Sequence, residues 1–133
     1  MSQQKKNVEQ VRGIYEAFAR GDVAAVLAAF TPETIIVEAP GLPYAGTWQG
    51  VEGMQALLGR LMTVFDGVEL RPTQFFHDEG DWVAAHLQIS GRLRATGERL
   101  TMPLIELWKV VDGKVLEVRP YYWDTAAFAS VPR

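Results

Sequence analysis

A carboxylate set between large apolar neighbours is the first feature of this sequence that could do chemistry. In the run Leu104-Ile105-Glu106-Leu107-Trp108-Lys109-Val110, strand alternation puts Leu104, Glu106, Trp108 and Val110 on one face and Ile105, Leu107, Lys109 and Val111 on the other. If the first face points inward, ionising Glu106 is costly and its pKa is raised. If it points outward, Glu106 pairs with Lys109, Arg99 or a neighbouring strand. The same counting along the last apolar run places Val118, Pro120, Tyr122 and Asp124 on one face. Asp124 is then either a pocket acid or the N-cap of a short helix over 125–129, a role aspartate fills often. Glu38 directly follows the β-branched run Ile35-Ile36-Val37 and joins the set if it turns inward. Such acids in one apolar cavity suit general acid–base catalysis.

The rest of the composition narrows the field by exclusion. The 133 residues contain no cysteine and two histidines, which removes disulfides, thiolate nucleophiles and thiolate zinc sites, and leaves no histidine-rich metal site. Thirteen Lys+Arg against sixteen Asp+Glu give a net charge of −3, with no basic stripe to track a nucleic acid backbone. No apolar run is long enough for a membrane span, and MSQQKKNVEQ carries no signal-like apolar core. The expectation is a cytoplasmic protein that works without metal or cofactor. His86 alternates away from the Val83/Leu87/Ile89 face and belongs to an outer surface or interface; His77, beside Asp78 at a turn, belongs to the surface.

Helices and strands must position these groups. From Asn7 to Arg20, Val8, Val11, Tyr15 and Phe18 share one helix face, with Ile14 beside them. Gly21 and Asp22 separate this helix from a second, in which Val23, Val26, Leu27 and Phe30 share a face. After the strand at Ile35–Val37, the stretch from Pro40 to Gly50 reads as a loop that carries Leu42, Tyr44 and Trp48. A third helix follows, with Met54, Leu57, Leu58, Leu61, Met62 and Phe65 in i, i+3, i+4 order, and Asp66-Gly67 ends it. From Val68 the period changes to two. Pro72 marks an edge or a bulge in the first of these strands, and Val83, Ala85, Leu87, Ile89 and Leu93 share a face of the next. Asp112-Gly113 is a two-residue hairpin signal. The predicted order is ααβαββββ in one domain, residues 1–133, with helices covering one face of an antiparallel sheet.

This order, together with YEAFARGD (Tyr15 to Asp22), TPETIIVEAP (Thr31 to Pro40), GVEG (Gly50 to Gly53) and VVDGKVLEVRPYYWD (Val110 to Asp124), resembles the SnoaL-like branch of the nuclear transport factor 2-like superfamily. The resemblance runs from about Val8 to Phe128. It implies an α+β fold of the cystatin-like kind: a cone-shaped roll whose curved antiparallel sheet wraps three helices around an apolar pocket. Ketosteroid isomerase, limonene-epoxide hydrolase and polyketide cyclases are members. On that pattern Tyr15, Tyr44, Trp48 and Leu58 would line the pocket from the helical side, and Leu87, Ile89, Trp108 and Val118 from the sheet. Glu106 resembles the protonated oxyanion-hole acid of ketosteroid isomerase, and Asp124 the aspartate that ends the last strand in the hydrolase and the cyclases. The resemblance implies that Asp124, or Glu38 if it turns inward, removes a proton next to a carbonyl, while neutral Glu106, with the Tyr122 hydroxyl, hydrogen-bonds the developing oxyanion.

Departures accompany the likeness. Ketosteroid isomerase carries its tyrosine where this chain has Ile14, one step from Tyr15, and its base where this chain has Ala39, next to Glu38. The hydrolase's arginine and aspartate fall on Leu87 and Ile89. The resemblance therefore implies an isomerase, cyclase or dehydratase acting on an apolar carbonyl compound, an epoxide hydrolase with a rearranged catalytic set, or a non-catalytic ligand-binding or dimerisation module. It also implies a homodimer through the outer sheet face, where Trp82, His86 and Gln88 share a side that would leave a tryptophan bare.

Overall fold

A computed structural model describes residues 2–133. Helix α1 (Gln3–Ala19) starts earlier than its apolar pattern, because the Ser2 hydroxyl caps it by accepting from the Lys5 amide. Gly21, at φ +72°, turns the chain into α2 (Val23–Leu27), capped by Asp22 through the Ala25 amide. Then come β1 (Phe30–Glu38), β2 (Gly46–Gln49) and α3 (Gly50–Val64). The strands β3 (Phe65–His77), β4 (Trp82–Leu93), β5 (Arg99–Val111) and β6 (Lys114–Tyr122) complete a six-stranded sheet, and a 3₁₀ turn, Thr125–Phe128, follows it. No helix among the described residues is long and apolar enough to cross a membrane.

The sheet runs β2-β1-β6-β5-β4-β3 and is curved and unclosed, so the α+β roll is the architecture found. Four details differ from the reading of the sequence. Phe30, read on the second helix, opens β1 instead, since α2 ends at Leu27. The Pro40–Gly50 stretch is not all loop, since Gly46–Gln49 pairs antiparallel with Ile35–Glu38 as an edge strand. The sheet is not wholly antiparallel, since β1 lies parallel to β6 with Ile36 opposite Val118. Helix α3 ends at Val64, and Asp66-Gly67 falls inside β3, where the register slips between Asp66 and Glu69. Pro72 does lie on an edge strand, beside a second slip in register.

The helices pack their apolar faces into the concave side of the sheet. Val11, Ile14 and Tyr15 of α1 and Leu57, Leu58, Leu61 and Val64 of α3 are buried against it. On β4 the side chains of Val83, Ala85, Leu87, Ile89 and Leu93 are buried, while Trp82, His86 and Gln88 lie on the outer face. The β5–β6 hairpin turns on Asp112 and Gly113, at φ 51° and 76°. Positive φ at both residues is the type I′ geometry that suits the twist of an antiparallel pair. The hairpin then pairs Glu106 with Pro120 and Leu104 with Tyr122.

Candidate functional site

Sheet register assembles the site in one row. Glu106 on β5 is the cross-strand partner of Ala85 on β4 and of Pro120 on β6. Two residues beyond the Ile36–Val118 pair, β1 and β6 present Glu38 and Pro120. Glu38, Pro120, Glu106 and Ala85 thus follow one another across four strands. By strand spacing, the two acids stand on backbones about 10 Å apart. Their side chains share the concave face, where small Ala85 and Pro120 leave room that larger residues would fill. The flanking rows are apolar: Ile36, Val118, Trp108 and Val83 on one side, and Tyr122, Leu104 and Leu87 on the other. Glu106 is 8% and Glu38 6% exposed.

The two acids differ in their hydrogen bonding. Trp108 donates its indole N–H to the Tyr15 hydroxyl at 2.9 Å. That hydroxyl donates in turn to Glu106 Oε1 through a short hydrogen bond. Burial pushes the Glu106 carboxyl up to about 7, with the Tyr15 hydrogen bond acting in the opposite direction by favouring the ionised form. Glu38 has no such support, and its Oε1 is buried without a partner. Burial raises its pKa well above the usual carboxylate range, and the Glu106 charge raises it further. The first negative charge in the pair therefore settles on Glu106, and the last proton stays on Glu38. Burial also raises the Tyr15 phenol, and the charge on Glu106 adds to that effect, so Tyr15 acts as a neutral donor.

Both carboxyls face a cavity of about 60 Å³. Ile14, Tyr15 and Phe18 of α1, Val26 of α2 and Met54, Leu57, Leu58 and Leu61 of α3 wall it on the helical side. The sheet contributes Ile36, Val68, Leu70, Ile89, Trp108, Val118, Pro120 and Tyr122. Of the residues expected here, Glu38, Glu106, Tyr122, Tyr15, Leu58, Ile89, Trp108 and Val118 come together on this wall, and Glu38 rather than Ala39 turns inward.

Four others do not. Asp124 is exposed, and its carboxylate accepts from the Ala126 amide at 3.0 Å; the unsatisfied amides of the 3₁₀ turn claim it as an N-cap and hold it away from the cavity. Tyr44 is buried outside the wall, where its hydroxyl meets that of Tyr122 at 2.7 Å and its ring packs on Phe128. Trp48 is half-buried on the edge strand, its indole N–H spent on the Tyr44 carbonyl. Leu87 is fully buried, but its row, opposite Leu104, packs into the core beyond the acids.

Sequence reasoning placed Tyr15 on the pocket wall but missed its hydrogen bond to Glu106, which joins residues 91 positions apart. It also left unassigned Met54, Leu57, Leu61, Val68, Leu70 and Pro120, all on the cavity wall.

The fold and site define a small α+β roll with a pair of buried acids in an apolar cavity, and comparison with known proteins gives the family. The SnoaL-like domain matches residues 11–118, and the chain belongs to that family. An uncharacterized protein of Mycobacterium tuberculosis is 28% identical over 128 residues, covering 93% of this chain and 94% of its own. The crystal structure of an NTF2-like protein of unknown function from Burkholderia pseudomallei is similar over 100% of both chains, at 26% identity and a TM-score of 0.86. TerC, co-crystallized with polyporic acid, is 26% identical with a TM-score of 0.82, covering 92% of this chain and 95% of its own.

Proposed function

We propose that this protein catalyses proton transfer at a carbon next to a carbonyl group in a small apolar compound, with Glu106 as base and Glu38 as acid. The observation that carries the reading is the unequal pair of carboxyls on one cavity: Glu106 holds a Tyr15 hydrogen bond, and Glu38 holds none. Ionised Glu106 takes the proton, and the C–H electron pair becomes the C=C of an enol. The carbonyl π pair moves to oxygen, which takes its proton from neutral Glu38. Charge passes from one buried carboxyl to the other, so the cavity holds one negative charge throughout and no second charge is desolvated. In a ketone that carries a C=C conjugated with this enol, Glu106 returns the proton at the far carbon of the dienol while Glu38 takes back the hydroxyl proton. The C=C shifts, the carbonyl re-forms, and an isomerisation is complete. The co-crystallization of TerC with polyporic acid supports a small organic ligand here.

The test is deuterium incorporation into 2-butanone in D2O, followed by mass spectrometry. Exchange faster than with buffer, lost in the Glu38→Gln/Glu106→Gln double variant, supports the reading. A wild-type protein that binds the ketone without exchanging it would be a ligand-binding module.

We also infer a homodimer through the outer sheet face, because Trp82, His86, Ile105 and Leu107 stand there half-buried and Tyr121 is exposed in a single chain. Light scattering at micromolar concentration should give a mass near twice the 14.8 kDa of one chain. A mass of one chain across that range would contradict the dimer.

A further inference from the structure

The cavity abuts a second hollow on its helical side. Phe18, Val26, Leu58 and Val68 line it, and the same four residues line a second, open hollow of about 370 Å³ between the α1–α2 turn and α3. At the rim of this hollow stand Val23 and Met62, 46% and 47% exposed. Helical spacing assigns both to apolar faces, so their exposure here marks a surface made for burial but left bare. Gly59 belongs to the same hollow, and a Cβ added to it would meet nothing within 4 Å. A glycine inside a helix is less favourable than alanine. At this position it leaves the hollow open.

Charge and size point to the occupant. The single ionisable side chain on the hollow's wall is Asp22, whose carboxylate is engaged with the Ala25 amide at 3.0 Å and with Arg20 at 3.7 Å. The remaining wall is apolar apart from Gln55. The inner cavity, at about 60 Å³, is smaller than the roughly 150 Å³ that accommodates a benzene ring. Only a short head fits beside the acids, and a larger ligand has the adjoining hollow to extend into, past the shared wall of Phe18, Val26, Leu58 and Val68.

We propose that the hollow is a tail-binding subsite, and that the ligand is a neutral amphiphile. Its carbonyl head lies at Glu38 and Glu106, and its flexible apolar chain crosses Gly59 between Val23 and Met62. The inference rests on the acid–base reading for the head and on the hollow for the tail, and the two can be tested apart.

The probes are straight-chain methyl ketones from 2-butanone to 2-decanone. Binding is followed by intrinsic tryptophan fluorescence and α-hydrogen exchange by mass spectrometry, in the wild type and in Gly59→Leu. Leucine at position 59 has a higher helix propensity and open space around its Cβ, so the variant is expected to melt no lower than the wild type. In the wild type, affinity should rise roughly threefold to fourfold per methylene once the head fills the cavity, the factor expected for burying a CH₂. Gly59→Leu should bind 2-butanone unchanged and lose the rise with chain length.

A flat series in the wild type, a Gly59→Leu series that rises equally, or no binding at any length would overturn the subsite. So would a Gly59→Leu change confined to oligomeric mass, which would give the hollow to a second copy of the chain. Exchange of 2-butanone with a flat series leaves the acid–base reading standing without the tail. A rising series without any exchange leaves the tail site and removes the chemistry.

Discussion

Glu106→Gln is expected to lower α-hydrogen exchange by ~10²–10⁴-fold, the range for loss of a positioned general base. Glutamine keeps the shape of the side chain and can still accept from Tyr15, so the fold and the cavity should persist. Glu38→Gln should cost less, because an amide N–H can still donate to the carbonyl oxygen although it cannot deliver a proton. The order of the two variants is diagnostic. If Glu38→Gln proves the more damaging, the roles are reversed, with Glu38 as base and Glu106 as neutral donor. The pH profile follows from the same assignment. Exchange should rise as Glu106 ionises around pH 7 and fall again where Glu38 releases its proton, giving a bell whose limbs belong to the pair.

A second large effect is expected on stability, and its sign follows from the raised folded-state values. Glu106 releases its proton near 4.5 when unfolded and at about 7 when folded. Between these values the folded protein holds a proton that the unfolded chain has lost. Its contribution to stability is full below about pH 4.5 and is lost as pH rises through 7. The difference amounts to about 3 kcal/mol, and Glu38, raised by burial in the same direction, adds to it at higher pH. For a chain of this size, 3 kcal/mol corresponds to roughly 10 °C in melting temperature. Between pH 5 and pH 8 the wild type should lose at least that much relative to the Glu38→Gln/Glu106→Gln double variant. Melting curves that shift in parallel across this range would mean that the two carboxyls titrate as they do in water.

Whether each site residue was legible in the sequence depended on how far its position is controlled by its neighbours. Glu106 was readable as an inward acid because it sits on a strand of clear alternation between Leu104 and Trp108. Its pairing with Pro120 was not, because the register slips between Lys109 and Val110 on the way from the Asp112-Gly113 turn. Glu38 was ambiguous with Ala39, because the facing of β1 is set by its parallel pairing with β6, a contact across some eighty residues of chain. Asp124 shows the opposite balance: two amides away, the 3₁₀ turn offers a local hydrogen bond, and local capping prevailed over the face that alternation assigned. The hydrogen bond from Tyr15 to Glu106 was hidden because it depends on where α1 crosses β5, which no helical period encodes. Strand β2 was missed because four residues within a proline- and glycine-rich stretch give too short a run for alternation to show.

The central claim is that Glu38 and Glu106 share one cavity and one charge, and carboxyl-carbon NMR titration tests it most directly. Two coupled steps are expected, Glu106 at about 7 and Glu38 last. Glu106→Gln should move Glu38 downward by removing the like charge, and Asp124→Asn should move neither. Two independent titrations near the ordinary value of about 4.3, each indifferent to the other's substitution, would contradict it.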